Sequence, residues 1–217
     1  MDNRPPDFVM NILALETSQP HASLCLSRNG ETVFTASWEA ERNHDAYLFP
    51  ALQKALAYPE AAELHTLLVG AGPGSYGGVR VALAAAVGVA TVRGGRVVAF
   101  GSWEPFAAPG LSMISDARRN GWTVRRPDGC IEVISAEEAR ALPAPVASVE
   151  SPEVLAAAGI TVQQAGIIPT AEALVRAWLA LSAEQRETLA AKPAEPIYVR
   201  PPHIVPAKRK PWEIRHG

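Results

Sequence analysis

The stretch LLVGAGPGSYGGVRVALAAAVGVA, residues 67–90, constrains the fold of this chain more than any other. A compact apolar run leads into a glycine-rich turn, and a longer apolar run follows it. The first run has the length and composition of a buried strand, and the second has those of a helix. The sequence therefore predicts a strand, a sharp glycine elbow and a helix over about residues 75–92.

The glycines of this elbow also match G-x-G-x-x-G, a dinucleotide-binding pattern, at Gly72, Gly74 and Gly77. Such a loop opens a βαβ unit, and an acid about 20 residues later binds the ribose. Here a strand, a hairpin and a helix are predicted ahead of the glycines, and Glu104 comes after the end of the next predicted strand. A P-loop would need Gly-Lys-Ser/Thr after the glycines. The sequence therefore argues against both kinds of nucleotide loop.

The elbow is better interpreted as a tight turn in front of a helix. We expect Ser75 to act mainly as the N-cap of the helix, with contact to an anion as its secondary role. Arg80 can extend along the helix surface, pair with a carboxylate or bind an anion. We predict a structural elbow or a weak anion site formed by Gly72, Gly74, Ser75, Gly78 and Arg80.

The helix after the elbow carries no charge between Val81 and Ala90. A helix that is apolar all round must be covered all round, and its Ala and Gly residues let another helix approach closely. Two structures satisfy that need. The helix is either sandwiched inside one chain or covered by another subunit, and composition alone does not choose between them.

The rest of the N-terminal half alternates strands and helices. Residues 10–18 predict a buried strand, and Asn29-Gly30 predicts a hairpin turn. Leu48 and Leu52 lie on one face of a helix that Asn43 or Asp45 can cap, with Pro50 close to its first turn. The predicted order of this half is strand, hairpin, helix, strand, helix, strand.

The C-terminal half is patterned less clearly. It predicts three strands with a turn at residues 127–129, then a short helix around Glu137-Glu138, whose carboxylates look structural. Residues 169–190 predict one longer helix capped by Thr170. No sequence repeat stands out.

Composition indicates a soluble globular protein, with a net charge of −2 and 48% hydrophobic residues. The apolar run 81–92 is too short to span a bilayer, and no signal peptide is visible, so we expect a cytoplasmic protein without membrane contact. Cys25 and Cys130 are expected to be buried free thiols. The histidines have no ligand spacing, which predicts neither a metal nor a catalytic site.

The segments ILALETSQPHASLCLSRNGE, ERNHDAYLFPALQKAL, GAGPGSYGGVRVALAAAVGVA, SDAR and AEPIYVR occur in this order along nearly the whole chain. In this respect the chain resembles the TsaB (YeaZ) family. The elbow is the most specific segment, because the family has close to G-P-G-S-[FY]-T-G-[VL]-R there. The match is thinner in the second half, which looks shortened.

This resemblance implies an α/β fold of the actin-like, hsp70-like (ASKHA) class, with two small subdomains that each hold a mixed sheet flanked by helices. It also implies a non-catalytic scaffold in the formation of threonylcarbamoyladenosine beside the anticodon of tRNA. Members pair with a TsaD-like transferase, a TsaE-like ATPase joins them, and no cofactor is expected of this chain. Contact with tRNA would be indirect or made through the complex.

Carried onto this sequence, the resemblance places the partner interface on helices at residues 44–58 and 75–92, with a homodimer through the same surface when the chain is alone. The subdomains would span 10–103 and 104–200, with a basic tail at 201–217. The interface residues would be Tyr47, Leu48, Leu52, Ala55, Ala82, Ala86 and Val89.

The chain departs from the family pattern at two positions. Glu16 stands where the first strand usually ends in Asp, and Gly77 stands where Thr is usual. The turn ETSQPHAS holds no glycine, so its backbone is not suited to hugging a phosphate. The His-x-x-x-His of the catalytic relatives is missing, since Leu48 lies four residues after His44. An ATP-binding, kinase-like enzyme of the same fold is the alternative function.

Overall fold

The structure is a computed structural model that describes residues 9–40 and 43–199. Its N-terminal part consists of β1 (Asn11–Glu16), β2 (His21–Arg28), β3 (Glu31–Glu39), α1 (His44–Ala55), β4 (Thr66–Gly70), α2 (Tyr76–Arg93) and β5 (Arg96–Phe100). The five strands form one mixed sheet in the order β3-β2-β1-β4-β5. The predicted order of strands and helices in this half is confirmed.

The first sheet is buried on both faces. Leu13 and Leu15 of β1 point into a core beneath α1 and α2, whereas Ile12 and Ala14 point to the opposite core. Alternate residues of a strand face opposite sides, so a strand covered on both sides must be apolar at every position. This arrangement explains the compact apolar runs that predicted β1 and β4.

A second sheet repeats the same topology in reduced form. It contains β6 (Ser112–Asp116), β7 (Gly121–Arg125), β8 (Ile131–Ser135), α3 (Ala136–Arg140), β9 (Val146–Ser148) and α4 (Pro152–Ala158). The order is β8-β7-β6-β9, with an antiparallel meander and β9 parallel to β6. A single parallel bridge between Ala147 and Gln164 lies where β5 lies in the first sheet. The second sheet therefore has the strand order and directions of the first, with fewer residues in each element.

The predicted single helix over residues 169–190 is wrong, because the chain forms two helices there. They are α5 (Ala171–Ala180) and α6 (Ala183–Ala190). Ser182 begins α6 with a capping box in which its hydroxyl accepts from the Gln185 amide and the Gln185 side chain accepts from the Ser182 amide. Thr170 caps α5 as predicted.

Both helices return to the first sheet. Leu174, Val175 and Trp178 of α5 fill the core on the face opposite α1 and α2, and α6 contacts β5. The first sheet thus lies in the middle of three layers, although α5 and α6 fall within the range 104–200 predicted for the second subdomain. The predicted tail at 201–217 lies outside the described residues.

Three local predictions need correction. Asn43 occupies the N-cap position of α1 but makes no side-chain cap bond, and Pro50 lies inside this helix rather than near its first turn. Cys130 is exposed, because it follows the exposed turn at residues 127–129, whereas Cys25 is buried as predicted. By contrast, the hairpin at Asn29-Gly30 is confirmed, with φ angles of +52° and +88°.

Candidate functional site

The glycine elbow is seated against the end of β1. An added Cβ at Gly74 would lie 2.1 Å from the Ser18 carbonyl oxygen, and one at Gly78 would lie 2.1 Å from that of Thr17. The Ser75 amide donates to the Ser18 carbonyl at 2.6 Å, and the Thr17 hydroxyl donates to the Gly78 carbonyl at 2.9 Å. Glycine is needed at both positions because backbone meets backbone there.

Ser75 is the N-cap of α2, since its hydroxyl accepts from the Gly78 amide at 3.2 Å. The structural role predicted for the elbow therefore has direct support. Gly77 differs from its neighbours, because an added Cβ there would meet nothing within 4 Å. A Cβ therefore has room at this position.

Arg80 lies on the aromatic ring of Tyr76. Its guanidinium carbon is 5.1 Å from the ring centroid, and Nη1 donates to the Tyr76 hydroxyl at 3.2 Å. The ring of Tyr198 lies 5.1 Å from that of Tyr76, and the Ile197 amide donates to the Ala71 carbonyl at 2.8 Å. The C-terminal segment thus passes over the elbow, and Arg80 extends along the surface as one of the predicted alternatives requires.

Glu16, the departure at the end of β1, is completely buried. Its Oε1 accepts from the Ser18 amide at 2.7 Å. Burial raises the pKa of this carboxyl, and hydrogen bonds from Ser18, Ser102 and Thr17 partly offset that shift. An added Cβ at Gly70 would lie 2.0 Å from Oε2, so Gly70 makes the space for this side chain.

A cleft of about 640 Å³ opens between the two sheets. Its first wall is formed by the elbow, the start of α2 and the buried side chain of His44. Asp116, Arg118 and Glu150 lie on the opposite wall. His44 starts α1, as expected, but it is buried rather than on the surface. Among the described residues, no group of three or more His, Cys, Asp or Glu residues could hold a metal.

A second concave surface lies on the outer side of α1 and α2. This surface, the helical groove, has a volume of about 720 Å³, and its lining is mostly apolar. Phe49 of α1 and Val92 of α2 border it with 55% and 79% of their surface exposed. Gly88 and Ala84 form part of its floor, so another helix can approach α2 closely there.

The structure divides the predicted interface residues into two groups. Tyr47 is exposed on α1, and Leu52 and Val89 line the helical groove although most of their surface is buried. Four others are completely buried against the first sheet, where they support the helices from beneath: Leu48, Ala55, Ala82 and Ala86. A side chain without exposed surface cannot contact a partner, so among the predicted interface residues Tyr47, Leu52 and Val89 are the ones that keep exposed surface.

The helix α2 would be long and apolar enough to cross a membrane, the one such helix in the described part of the chain. Core helices of soluble proteins satisfy the same criteria. The side that faces the first sheet is packed against β1, β4 and β5. Its Val87 and Val92 remain exposed, and they are the apolar side chains that a covering partner would bury.

Solved structures share this architecture. A crystal structure of an uncharacterized protein with similarity to peptidase YEAZ from Pseudomonas aeruginosa superposes with a TM-score of 0.69 at 21% identity, covering 88% of this chain and all of that one. Two mixed sheets with repeated topology and flanking helices fit an actin-like ASKHA fold, as the resemblance implied.

Sequence comparisons find similar proteins over part of the chain. The family model "tRNA N6-adenosine threonylcarbamoyltransferase" (TsaD) matches residues 38–120. The tRNA threonylcarbamoyladenosine biosynthesis protein TsaB of Bacillus subtilis is 32% identical over 118 residues, 51% of this chain and 52% of that protein. Its namesake in Buchnera aphidicola is 33% identical over 84 residues, 38% of each chain. Over these matched parts, the chain is similar to proteins of the TsaB/YeaZ family. The matches span about half or less of these relatives.

Proposed function

We propose that the chain is a non-catalytic scaffold subunit in the formation of N6-threonylcarbamoyladenosine beside the anticodon of tRNA. It would act in the cytoplasm and pair with a TsaD-like transferase through the helical groove. A TsaE-like ATPase would join this pair, and tRNA would be contacted through the complex. The names of the relatives support the pathway, and the groove supports the mode of action.

The observation that carries the proposal is the exposed apolar surface along the groove. Phe49 of α1 and Val92 of α2 line the groove with 55% and 79% of their surface exposed, and Tyr47 and Val87 on the same helices are each more than half exposed. Contiguous exposed apolar surface on a soluble protein marks a site of interaction. The uncharged segment 81–90 then has a physical reason, because its inner side meets the first sheet and its outer side would meet the partner.

The residues around β1 support a role without catalysis. The turn that follows β1 has no glycine through which its backbone could approach a phosphate. Glu16 is turned into the core, where burial raises its pKa and favours the neutral form over a metal-binding carboxylate. These features disfavour the kinase-like alternative.

Co-purification with a TsaD-like partner tests the proposal. Val92→Glu places a charge in the groove at a position with 79% exposure, so the chain should fold normally and lose the partner. The matched control is Val154→Glu on α4, which is exposed and lies outside the groove. Normal capture of the partner by the folded Val92→Glu variant would contradict the groove assignment.

The scaffold role itself has a separate test. Calorimetric titration of the isolated chain with Mg-ATP should give no binding in the micromolar range and no turnover. Tight binding with turnover would overturn the scaffold interpretation in favour of the kinase-like enzyme.

A further inference from the structure

The helical groove is not apolar over its whole length. Phe49, Leu52 and Val92 contribute apolar surface to it, whereas Arg93, the last residue of α2, lines the same groove and is half-buried. The last turn of a helix carries a partial negative charge, which suits a cation in the free chain. A partner that covers the groove would therefore meet one positive charge beside the apolar side chains.

Arg93 lacks a counter-ion among the described residues. Its guanidinium forms no ion pair and no side-chain hydrogen bond with any of them, whereas Arg96 on the following strand β5 is paired with Glu187. The described lining of the groove contains no carboxylate. Asp45, the one acid of α1 and α2, lies in the first turn of α1 and outside that lining.

Covering the groove changes the surroundings of this cation. A charged group that is removed from water is costly unless an opposite charge or hydrogen-bond acceptors replace the water. Charges that lie in an interface are for that reason matched by charges of opposite sign on the facing surface. A carboxylate accepts two parallel hydrogen bonds from a guanidinium, so it is the group that fits Arg93 best.

We infer that the partner presents an apolar helix to the groove and a carboxylate to Arg93. This inference rests on the proposed function, because it describes the surface of the protein that would cover the groove. The small residues Ala84 and Gly88 admit the apolar face of the helix. The pair with Arg93 fixes the position of that helix along the groove.

The same residue distinguishes this partner from a second copy of the chain. A two-fold dimer through the groove brings identical surfaces together, so each Arg93 would face a lining without an acid. A second copy covers the apolar side chains but leaves the charge of Arg93 unpaired. The carboxylate of the partner therefore favours the mixed complex over self-association.

Affinity measurements between the full-length chain and a TsaD-like partner test the inference. Arg93→Gln removes the charge and should weaken binding about threefold or more. Arg93→Glu places like charges together and should weaken it at least about tenfold. Arg93→Lys keeps the charge, so it should bind more tightly than Arg93→Gln. The matched control is Arg80→Gln, near the other end of the same helix and outside the groove, which should bind like the wild type.

Salt separates a lost charge from lost packing of the arginine stem. The advantage of the wild type over Arg93→Gln should shrink as the salt concentration rises, because salt screens the pair. If Arg93→Gln and Arg93→Glu bind as tightly as the wild type, or if their deficit does not depend on salt, the inference is wrong and the proposed function stands. A wild-type chain that does not bind the partner at all would overturn both.

Self-association of the same variants tests the preference for a different partner. Arg93→Gln should self-associate at least as tightly as the wild type, because a second copy has no acid in the groove for Arg93. Sedimentation velocity measures this. A loss equal to the loss in partner binding would show that an acid of the second copy, such as Asp45, pairs with Arg93, and the preference for the partner would be wrong.

Discussion

Arg125 and Glu104 form a paired hydrogen bond between the two sheets of the molecule. Arg125 Nη2 donates to Glu104 Oε2 at 2.9 Å, and Nε donates to Oε1 at 3.1 Å. Arg125 lies in β7 and is buried, whereas Glu104 lies in the 3₁₀ turn Glu104–Phe106 after β5. The planar guanidinium matches the carboxylate at both oxygens, which a lysine cannot do.

Arg125→Lys should therefore destabilise the chain by about 1 to 2 kcal/mol, because a buried side chain loses one of its two bonds and a carboxylate oxygen loses its donor. Urea unfolding measures the difference. The neighbouring Arg126→Lys is the matched control, since its pair with Glu132 is 41% and 44% exposed and should change stability by less than about 1 kcal/mol. Equal effects of the two substitutions would show that the Arg125–Glu104 pair does not hold the sheets together.

The glycines of the elbow should respond differently to alanine. Gly78→Ala places a Cβ 2.1 Å from the Thr17 carbonyl oxygen, so either α2 or the end of β1 must move. We expect a loss of at least about 3 kcal/mol, at the upper end of what overpacking costs. Gly77→Ala has open space around the new Cβ and lies in the first turn of a helix. It should stabilise by up to about 1 kcal/mol.

Thermal unfolding of the two variants and of Gly77→Thr distinguishes these cases. If Gly77→Thr proves as damaging as Gly78→Ala, the space around Gly77 is occupied by something that the described residues do not include.

Local signals in the sequence predicted the elements where backbone chemistry is specific. Asn29-Gly30 and Gly129 adopt the positive φ angles that their turns require, and Ser75 and Thr170 cap the helices in front of which they stand. The break at Leu181-Ser182 had a comparable signal. Ser182 and Gln185 have the spacing of a capping box, but the helix-forming residues on both sides of them favoured one helix.

Other features depend on tertiary packing and leave little trace in the sequence. The second sheet repeats the first, but its helices α3 and α4 have only five and seven residues and carry no clear period. Ala82 and Ala84 are equally apolar, yet one is buried against the sheet and the other is exposed. A helix that is apolar on all sides does not reveal which side its own sheet covers, so the sequence could not show which of the predicted interface residues keep exposed surface.

Glu16 should make stability fall as the pH rises. Burial raises its pKa in the folded chain above the unfolded value of about 4.3, so the folded state binds the proton more tightly. Its contribution is complete below that unfolded pKa, and it is lost by about 1.4 kcal/mol per pH unit until the folded pKa is reached. The free energy of unfolding therefore begins to fall near pH 4 and stops falling at the pKa of Glu16 in the folded chain.

The side chain of the Glu16→Gln variant cannot ionise. As the pH rises above 4, the free energy of unfolding of the wild type should therefore fall relative to that of the variant. Urea unfolding of both proteins from pH 4 to pH 8 measures the difference. A constant difference across this range would mean that Glu16 ionises equally in the folded and unfolded chains.

The isolated chain should form homodimers through the helical groove, because its exposed apolar side chains are otherwise left in water. In a two-fold dimer each substitution acts twice. Phe49→Asp removes an apolar side chain with 55% exposure and adds a charge, so it should weaken self-association at least about 100-fold. Val154→Asp, at an exposed apolar position outside the groove, should leave self-association unchanged. Sedimentation velocity over a range of concentrations measures both, and a Phe49→Asp variant that dimerises like the wild type would place the self-association surface elsewhere on the molecule.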